Sequence, residues 1–237
     1  MAWEHGYIAS TKGITTQKES SKKPVIALLL PHTGNLNTEF VERIWGALRF
    51  TPVEWCDKIP IFCKVPSLPV ARNTLARKAL DNPSVTHLFW IDSDHVLEEP
   101  VNPNEALEKL HGCNVPIVAG IYRAKQKIGF YYAAWTKVQD QTKSKGYGYT
   151  PIGGWTGNWI TVDAIGLGFC LVKREVFEKV PEPWFHWDEE DAPSEDFYFC
   201  EKAIKAGYEV KILTDVKLSH IGELKVKIDG SVSTLDV

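Results

Sequence analysis

The stretch Thr86-His87-Leu88-Phe89-Trp90-Ile91-Asp92-Ser93-Asp94 decides the reading of this chain, because a near-continuous apolar run stops abruptly at two carboxylates one residue apart. A short apolar run of this kind fits a strand buried on both faces of a parallel sheet. In open α/β sheets the ligand crevice lies outside the carboxyl ends of the strands, which puts Asp92 and Asp94 where a substrate docks. Two acids spaced i, i+2 at a strand end can converge on one hard divalent cation, and phosphate oxygens can complete its shell. Taken alone, Asp-Ser-Asp fits the start of a polar loop equally well, so the rest of the chain has to choose.

Upstream, Val25 to Leu30 reads as a strand ended by Pro31, followed by a helix with Val41, Ile44, Trp45 and Leu48 on one stripe and Asn37 or Thr38 as its cap. Ile59 to Val65 reads as a second strand, and Val70 to Leu80 as a helix stopped at Asn82-Pro83. Downstream, a helix around Asn104 to His111 leads into a buried strand from Val115 to Gly120. This alternation predicts an α/β fold: one domain with a mostly parallel, mixed central sheet flanked by helices. Residues 125 to 160, rich in Lys, Gly, Tyr and Trp with weak periodicity, read as an irregular binding loop or lid. Ile165 to Val172 resumes apolar character, and Arg174 to Lys179 reads as a short helix. Ser194 to Ala206 reads as a longer helix closed by Gly207, and Val210 to Leu213 and Val216 to His220 as late strands. Residues 1 to 22 lack periodicity and are expected to form a flexible arm.

Composition narrows the function. A net charge of −3 lacks the basic footprint of a nucleic-acid binder. Five cysteines without a CxxC pair point to a reduced compartment, with the thiols serving as small apolar residues. The apolar run from Pro24 to Pro31 is too short to span a bilayer, so a soluble, cytoplasmic protein without a transmembrane segment is expected.

Four further features fall where such a sheet places ligand contacts. Arg72-Asn73 opens a helix, where a guanidinium reaches phosphate oxygens or orients an acid of the Asp-Ser-Asp motif. Gly166-Leu167-Gly168, preceded by Asp163, lets backbone approach a ligand closely, or marks a bulge. Ser194-Glu195-Asp196 follows the acidic and aromatic run Trp184 to Asp191. Ser194 suits an N-cap and the two acids suit the helix dipole, while Asp196 also suits a general base, with Trp184 or Trp187 as a platform for a sugar face. His220, at the end of the last clear strand, can complete a carboxylate metal site as a neutral imidazole.

The order of these motifs resembles the GT-A glycosyltransferases, and most closely the compact, family 2-like enzymes of microbial and viral genomes. The resemblance is carried by Pro69-Val70-Ala71-Arg72-Asn73, Phe89 to Asp94, Val118 to Arg123, Val162 to Phe169, Ser194-Glu195-Asp196-Phe197, Ala206-Gly207-Tyr208 and His220-Ile221-Gly222. It implies a Rossmann-like nucleotide-diphospho-sugar transferase domain over 23–237, with a donor half to about 124 and an acceptor half beyond. By this resemblance Asp92 and Asp94, around Ser93, form the DxD motif that holds Mn2+ or Mg2+ against a UDP- or GDP-sugar, and His220 is the distal metal contact. Arg72 and Asn73 lie near the nucleotide, Gly166 and Gly168 border the donor, and Pro31, His32, Thr33 and Gly34 touch base and ribose. Asp196, paired with Glu195, deprotonates a hydroxyl of a glycan, lipid or protein acceptor in an inverting displacement. A QxxRW-type motif is lacking after the acidic pair, so processive polymer synthesis is not expected; Tyr147, Tyr149, Trp155 and Trp159 are available for carbohydrate stacking.

Two other readings compete. Ile91 to Leu97 loosely fits the haloacid-dehalogenase phosphatases, with Asp92 as nucleophile and Asp94 as acid/base, although that motif normally opens its domain. The fold could also bind a sugar nucleotide or glycan without catalysis.

Overall fold

Strand β1 (Val25–His32) is buried along six of its eight residues, and its alternating side chains feed two different cores. Ala27 and Leu29 face one, while Ile26, Leu28 and Leu30 face the other. That pattern marks a strand covered by helices on both faces. The computed structural model describes residues 23–50, 54–98, 102–124, 131–187, 194–221 and 224–234. The expectations for the arm at 1–22, the start of the 125–160 segment, residues 188–191 and Gly222 lie outside the described residues.

After β1 the chain forms α1 (Thr38–Phe40), a π-helical turn (Val41–Trp45) and α2 (Gly46–Phe50), then β2 (Asp57–Lys64), α3 (Leu68–Leu80), β3 (His87–Ile91), β4 (His95–Leu97) and α4 (Pro103–Gly112). Next come β5 (Ile117–Ile121), β6 (Arg123–Ala124), β7 (Tyr131–Tyr132), β8 (Ala134–Gln139), β9 (Tyr147–Pro151), β10 (Trp159–Val162) and β11 (Ala164–Ile165). The chain finishes with β12 (Phe169–Lys173), α5 (Arg174–Lys179), α6 (Glu195–Lys205), β13 (Val210–His220), β14 (Leu224–Val226) and β15 (Val232–Thr234).

The main sheet runs β2-β1-β3-β12-β5-β13 and continues through β14 and β15. Of its six central strands only β12 runs against the others, so the sheet is mostly parallel, as the alternating pattern predicts. Helices α3, α5 and α6 cover one face through Leu75, Phe177 and Phe199, and the α1–α2 segment and α4 cover the other through Phe40, Ile44 and Leu107. The five cysteines are unpaired thiols. Among the described residues no helix is long and apolar enough to cross a membrane.

Three departures from the sequence reading have physical causes. Val41, expected on the buried stripe, is exposed because the π-helical turn closes with Gly46 donating to the Val41 carbonyl, five residues back. That wider turn rotates Phe40 inward in its place. The segment expected to be an irregular lid holds β8 and β9, which form a three-stranded sheet with β11. Most of its described residues are half-buried or exposed, so no clean apolar period betrays its strands. The two late strands are one, β13, whose register against β5 shifts between Leu213 and Lys217 at an irregularity that keeps the ladder going.

Gly120 is the tightest point of that ladder. A Cβ there would stand 2.7 Å from Leu218 Cδ1 and 2.9 Å from the Val216 carbonyl oxygen. Gly120→Ala is therefore expected to lower the unfolding free energy by about 1–3 kcal/mol in urea denaturation, through overpacking of a close-packed interior.

Candidate active site

The carboxyl end of β3 delivers Asp92 to the sheet edge, where its N–H donates to the Gly168 carbonyl at 2.9 Å. Two residues on, the Asp94 carbonyl accepts from the Ile221 N–H at 2.6 Å, tying the acidic turn to the end of β13. Pro31, His32 and Thr33 from the end of β1 join Asp92, Ser93 and Asp94 around a cleft of about 290 Å³. These six residues, expected at the donor, share one site. The cleft lies at the carboxyl ends of β1 and β3, as the crevice rule requires.

Asp94 is gripped by two imidazoles. Its Oδ1 lies 3.0 Å from His95 Nδ1 and its Oδ2 lies 2.9 Å from His220 Nε2. Burial pushes this carboxyl up, but His95 and His220 outweigh it and hold it far below the usual carboxylate range. The histidines meet because the short β4 pairs antiparallel with β13 and sets His95 directly opposite His220. Directly opposed side chains share a face, and the two rings stack 4.3 Å apart at 17°. Sequence reading missed His95; its signal was its place directly after Asp94, but a three-residue strand gives no period to read.

These residues fit a divalent cation. One ligand atom each from Asp94, His95 and His220 lies within 4.8 Å of the others. His220 Nδ1 faces the Arg123 carbonyl at 3.2 Å, an acceptor only, which in a neutral ring leaves the Nε2 lone pair facing Asp94. His95 is buried and turns Nδ1 to the same carboxylate, so a second imidazole nitrogen faces the point where Asp94 and His220 meet. One carboxylate with two imidazoles is a donor set suited to a first-row divalent metal.

The two glycines of Gly166-Leu167-Gly168 frame this cluster from behind. A Cβ on Gly168 would stand 2.5 Å from the His95 ring, and one on Gly166 would overlap the Tyr122 hydroxyl at 2.0 Å. Tyr122 is buried, accepts from the Gly168 N–H at 3.3 Å and packs its ring edgewise on His95 at 4.2 Å. Both glycines, expected to border the donor, here give up their side-chain space to protein rings.

The second acidic group lies deeper. Arg72, 1% exposed on α3, reaches both Asp92 oxygens at 3.3 Å through Nη2 and Glu195 Oε1 at 3.1 Å through Nε, with Asp196 Oδ1 at 3.6 Å. Burial opposes its charge, yet the carboxylates of Asp92, Asp196 and Glu195 raise its pKa further, so it stays cationic. Asp196 differs from its neighbours. Burial raises its carboxyl well above the ordinary value, the Glu195 charge adds to the rise, and its Oδ1 has no hydrogen-bond partner while Oδ2 accepts from Leu167 N–H at 3.3 Å. Burial also pushes Glu195 up, but Arg72 and the Trp187 indole N–H, at 3.0 Å, overcome it and hold Glu195 low.

Three expectations need correction. Asn73 does not offer its amide to a ligand: Nδ2 donates to the Pro69 and Phe185 carbonyls and Oδ1 accepts from the Trp184 and Phe185 N–H groups, fixing the loop before α6. Trp184 is buried, with its indole N–H donated to the Phe177 and Val180 carbonyls, so it is no sugar platform, whereas Trp187 is 54% exposed. Ser194 occupies the N-cap position of α6 without a side-chain cap bond.

With this geometry in view, no protein-family model matches the chain, and no curated protein matches it. Solved structures do match. A197 from STIV is similar with a TM-score of 0.61 at 19% identity, over 90% of this chain and 95% of that one. GalNAc-T7, solved with UDP, GalNAc and Mn2+, is similar with a TM-score of 0.56 at 13% identity, over 89% of this chain. The fold is GT-A-like. The chain spans 45% of the GalNAc-T7 chain, and at these identities the likeness concerns the GT-A-like architecture alone.

Removing Arg72 would leave Asp92, Glu195 and Asp196 without their shared cation. Arg72→Met is expected to cost about 3–5 kcal/mol of stability in urea denaturation, the scale of breaking a buried ion pair from one side.

Proposed function

We propose that this protein is a metal-dependent glycosyltransferase that moves a sugar from a UDP- or GDP-sugar to an acceptor hydroxyl. The observation that carries this reading is the Asp94 carboxylate clasped between His95 and His220 at the mouth of the cleft formed with Pro31, His32 and Thr33. The reading also draws support from the GT-A-like fold and from the Mn2+ and UDP of the GalNAc-T7 structure.

In this reading the cleft seats the nucleotide, Asp94, His95 and His220 would hold Mn2+ or Mg2+, and Asp92 lines the cleft beside them. When bound, such a cation would supply positive charge to stabilise a departing diphosphate. Arg72 keeps the Asp92 carboxylate in one orientation and carries the same constraint to the start of α6. Asp196 takes the proton of the acceptor hydroxyl, its carboxyl set at the start of α6 by the Leu167 N–H and the Arg72 guanidinium. As that proton leaves, the acceptor oxygen bonds to the anomeric carbon and the carbon–diphosphate bond breaks, a single inverting displacement. A raised pKa suits Asp196 to this work, because its ionised form is a stronger base than an ordinary carboxylate. The phosphatase alternative needs Asp92 as a nucleophile, and the Arg72 guanidinium, 3.3 Å from both of its oxygens, weakens it in that role.

Calorimetric titration of UDP-, GDP- and CDP-sugars with Mn2+ and again with EDTA tests the reading; no metal-dependent binding of any donor would overturn it. Asp94→Ala is expected to abolish that binding. Asp196→Asn is expected to spare it and lower kcat by about 10²–10⁴-fold, the usual worth of a general base. Equal loss of donor affinity in both variants would sink this division of roles. Because the active form of Asp196 is the ionised one and its pKa is raised, kcat is expected to climb with pH through that raised value, and the limb should vanish in Asp196→Asn.

A further inference from the structure

We infer that the aromatic cavity beside the first turn of α6 binds a neutral saccharide through its ring face, and that this saccharide is the acceptor; the second half of the inference rests on the glycosyltransferase reading. The cavity encloses about 440 Å³, within the range of small-molecule sites, and is walled by Tyr131, Trp135, Tyr149 and Phe197 with Ser194 at its edge. Its wall is continuous: the Phe197 ring lies 4.7 Å from both Trp135 and Tyr149, and Trp135 lies 5.9 Å from Tyr131.

Three observations select the occupant. No carboxylate, lysine, arginine or histidine lines the cavity among the described residues, so its described wall offers no counter-charge to an anionic sugar or a diphosphate. The cavity is not purely hydrocarbon either. The Tyr131 hydroxyl, the Trp135 indole N–H and the Ser194 hydroxyl hydrogen-bond to no other described residue, and a lipid tail would leave them unsatisfied. A pyranose has an apolar C–H face for the rings and a rim of hydroxyls for those donors. Third, Ser194 and Phe197 of the cavity wall belong to the same start of α6 that carries Asp196, so the cavity and the base are built on one helix turn.

The wall is also held rigid. Glu201, 4% exposed on α6, accepts from the Tyr149 hydroxyl at 2.6 Å and the Tyr147 hydroxyl at 3.0 Å, and pairs with Lys145 at 2.9 Å. These contacts fasten the β8–β9 hairpin to the helix that carries Asp196 and fix the Tyr149 ring in the wall. A preset ring costs less to engage than a mobile one.

The test titrates the full chain with neutral trisaccharides of glucose, galactose, mannose and N-acetylglucosamine, following tryptophan fluorescence and saturation-transfer NMR. A sialylated trisaccharide and dodecanol serve as anionic and aliphatic comparisons. At least one neutral trisaccharide is expected to bind, with Trp135→Ala weakening it about tenfold or more while Mn2+-dependent nucleotide binding is unchanged. Because Trp135 packs on Phe197, Tyr131→Phe and Ser194→Ala give a gentler check, each expected to weaken the saccharide severalfold by removing one hydroxyl. The inference is overturned if no neutral saccharide binds while the nucleotide still does, if the three variants bind saccharide as the parent does, or if the sialylated or aliphatic probe binds better. Saccharide binding without any nucleotide binding would uphold the cavity assignment and overturn its role as acceptor site.

Discussion

A single buried guanidinium organises the acidic half of this site. Arg72 sits on α3, yet its contacts are with the end of β3 and the first turn of α6, elements far apart in sequence. Three carboxylates so close together repel one another, and burial in a low-dielectric interior sharpens that repulsion. The central cation makes the cluster tolerable, and its planar fork, resting 5.5 Å from the Trp90 ring centroid, sets where each acid points. The acids do not share the cation equally. Glu195 takes the closest contact and is held low by Arg72 and the Trp187 N–H, while Asp196, 3.6 Å from the guanidinium, is raised by burial and by the Glu195 charge.

The metal-facing half follows from strand pairing rather than from charge. Once β4 pairs with β13, His95 and His220 must lie side by side, and Asp94 at the start of that strand is brought against both rings. Gly166 and Gly168 serve by absence, because side chains there would collide with Tyr122 and His95. The site therefore depends on small residues behind it as much as on the ligating groups within it.

How much of this was legible in the sequence depended on the length of the pattern. The long buried strands and helices carried clear periods, so the central sheet and its helical cover could be read from Val25 to His220. The order of Arg72, the Asp-Ser-Asp turn, the acidic pair and His220 was readable for the same reason, since each sits at the end of a strong element. What escaped were residues whose role comes from a partner across the fold. His95 needed a three-residue strand pairing with one at 210–220, and Asn73 looked ligand-facing until its four backbone contacts appeared. The β8–β9 hairpin hid because half-buried aromatics replace the clean alternation of a two-faced strand.

The one reversed strand among the six central ones, β12, has a further consequence for how the protein comes into being. It lies between β3 and β5, so the strand bearing the Asp-Ser-Asp turn gains its second neighbour only when residues 169–173 arrive. During synthesis the three strands β1, β2 and β3 pair among themselves but keep one apolar edge open while the intervening chain emerges. Such an edge invites pairing with other chains, so the nascent protein passes through a window in which chaperone protection or rapid synthesis of the second half guards it against aggregation.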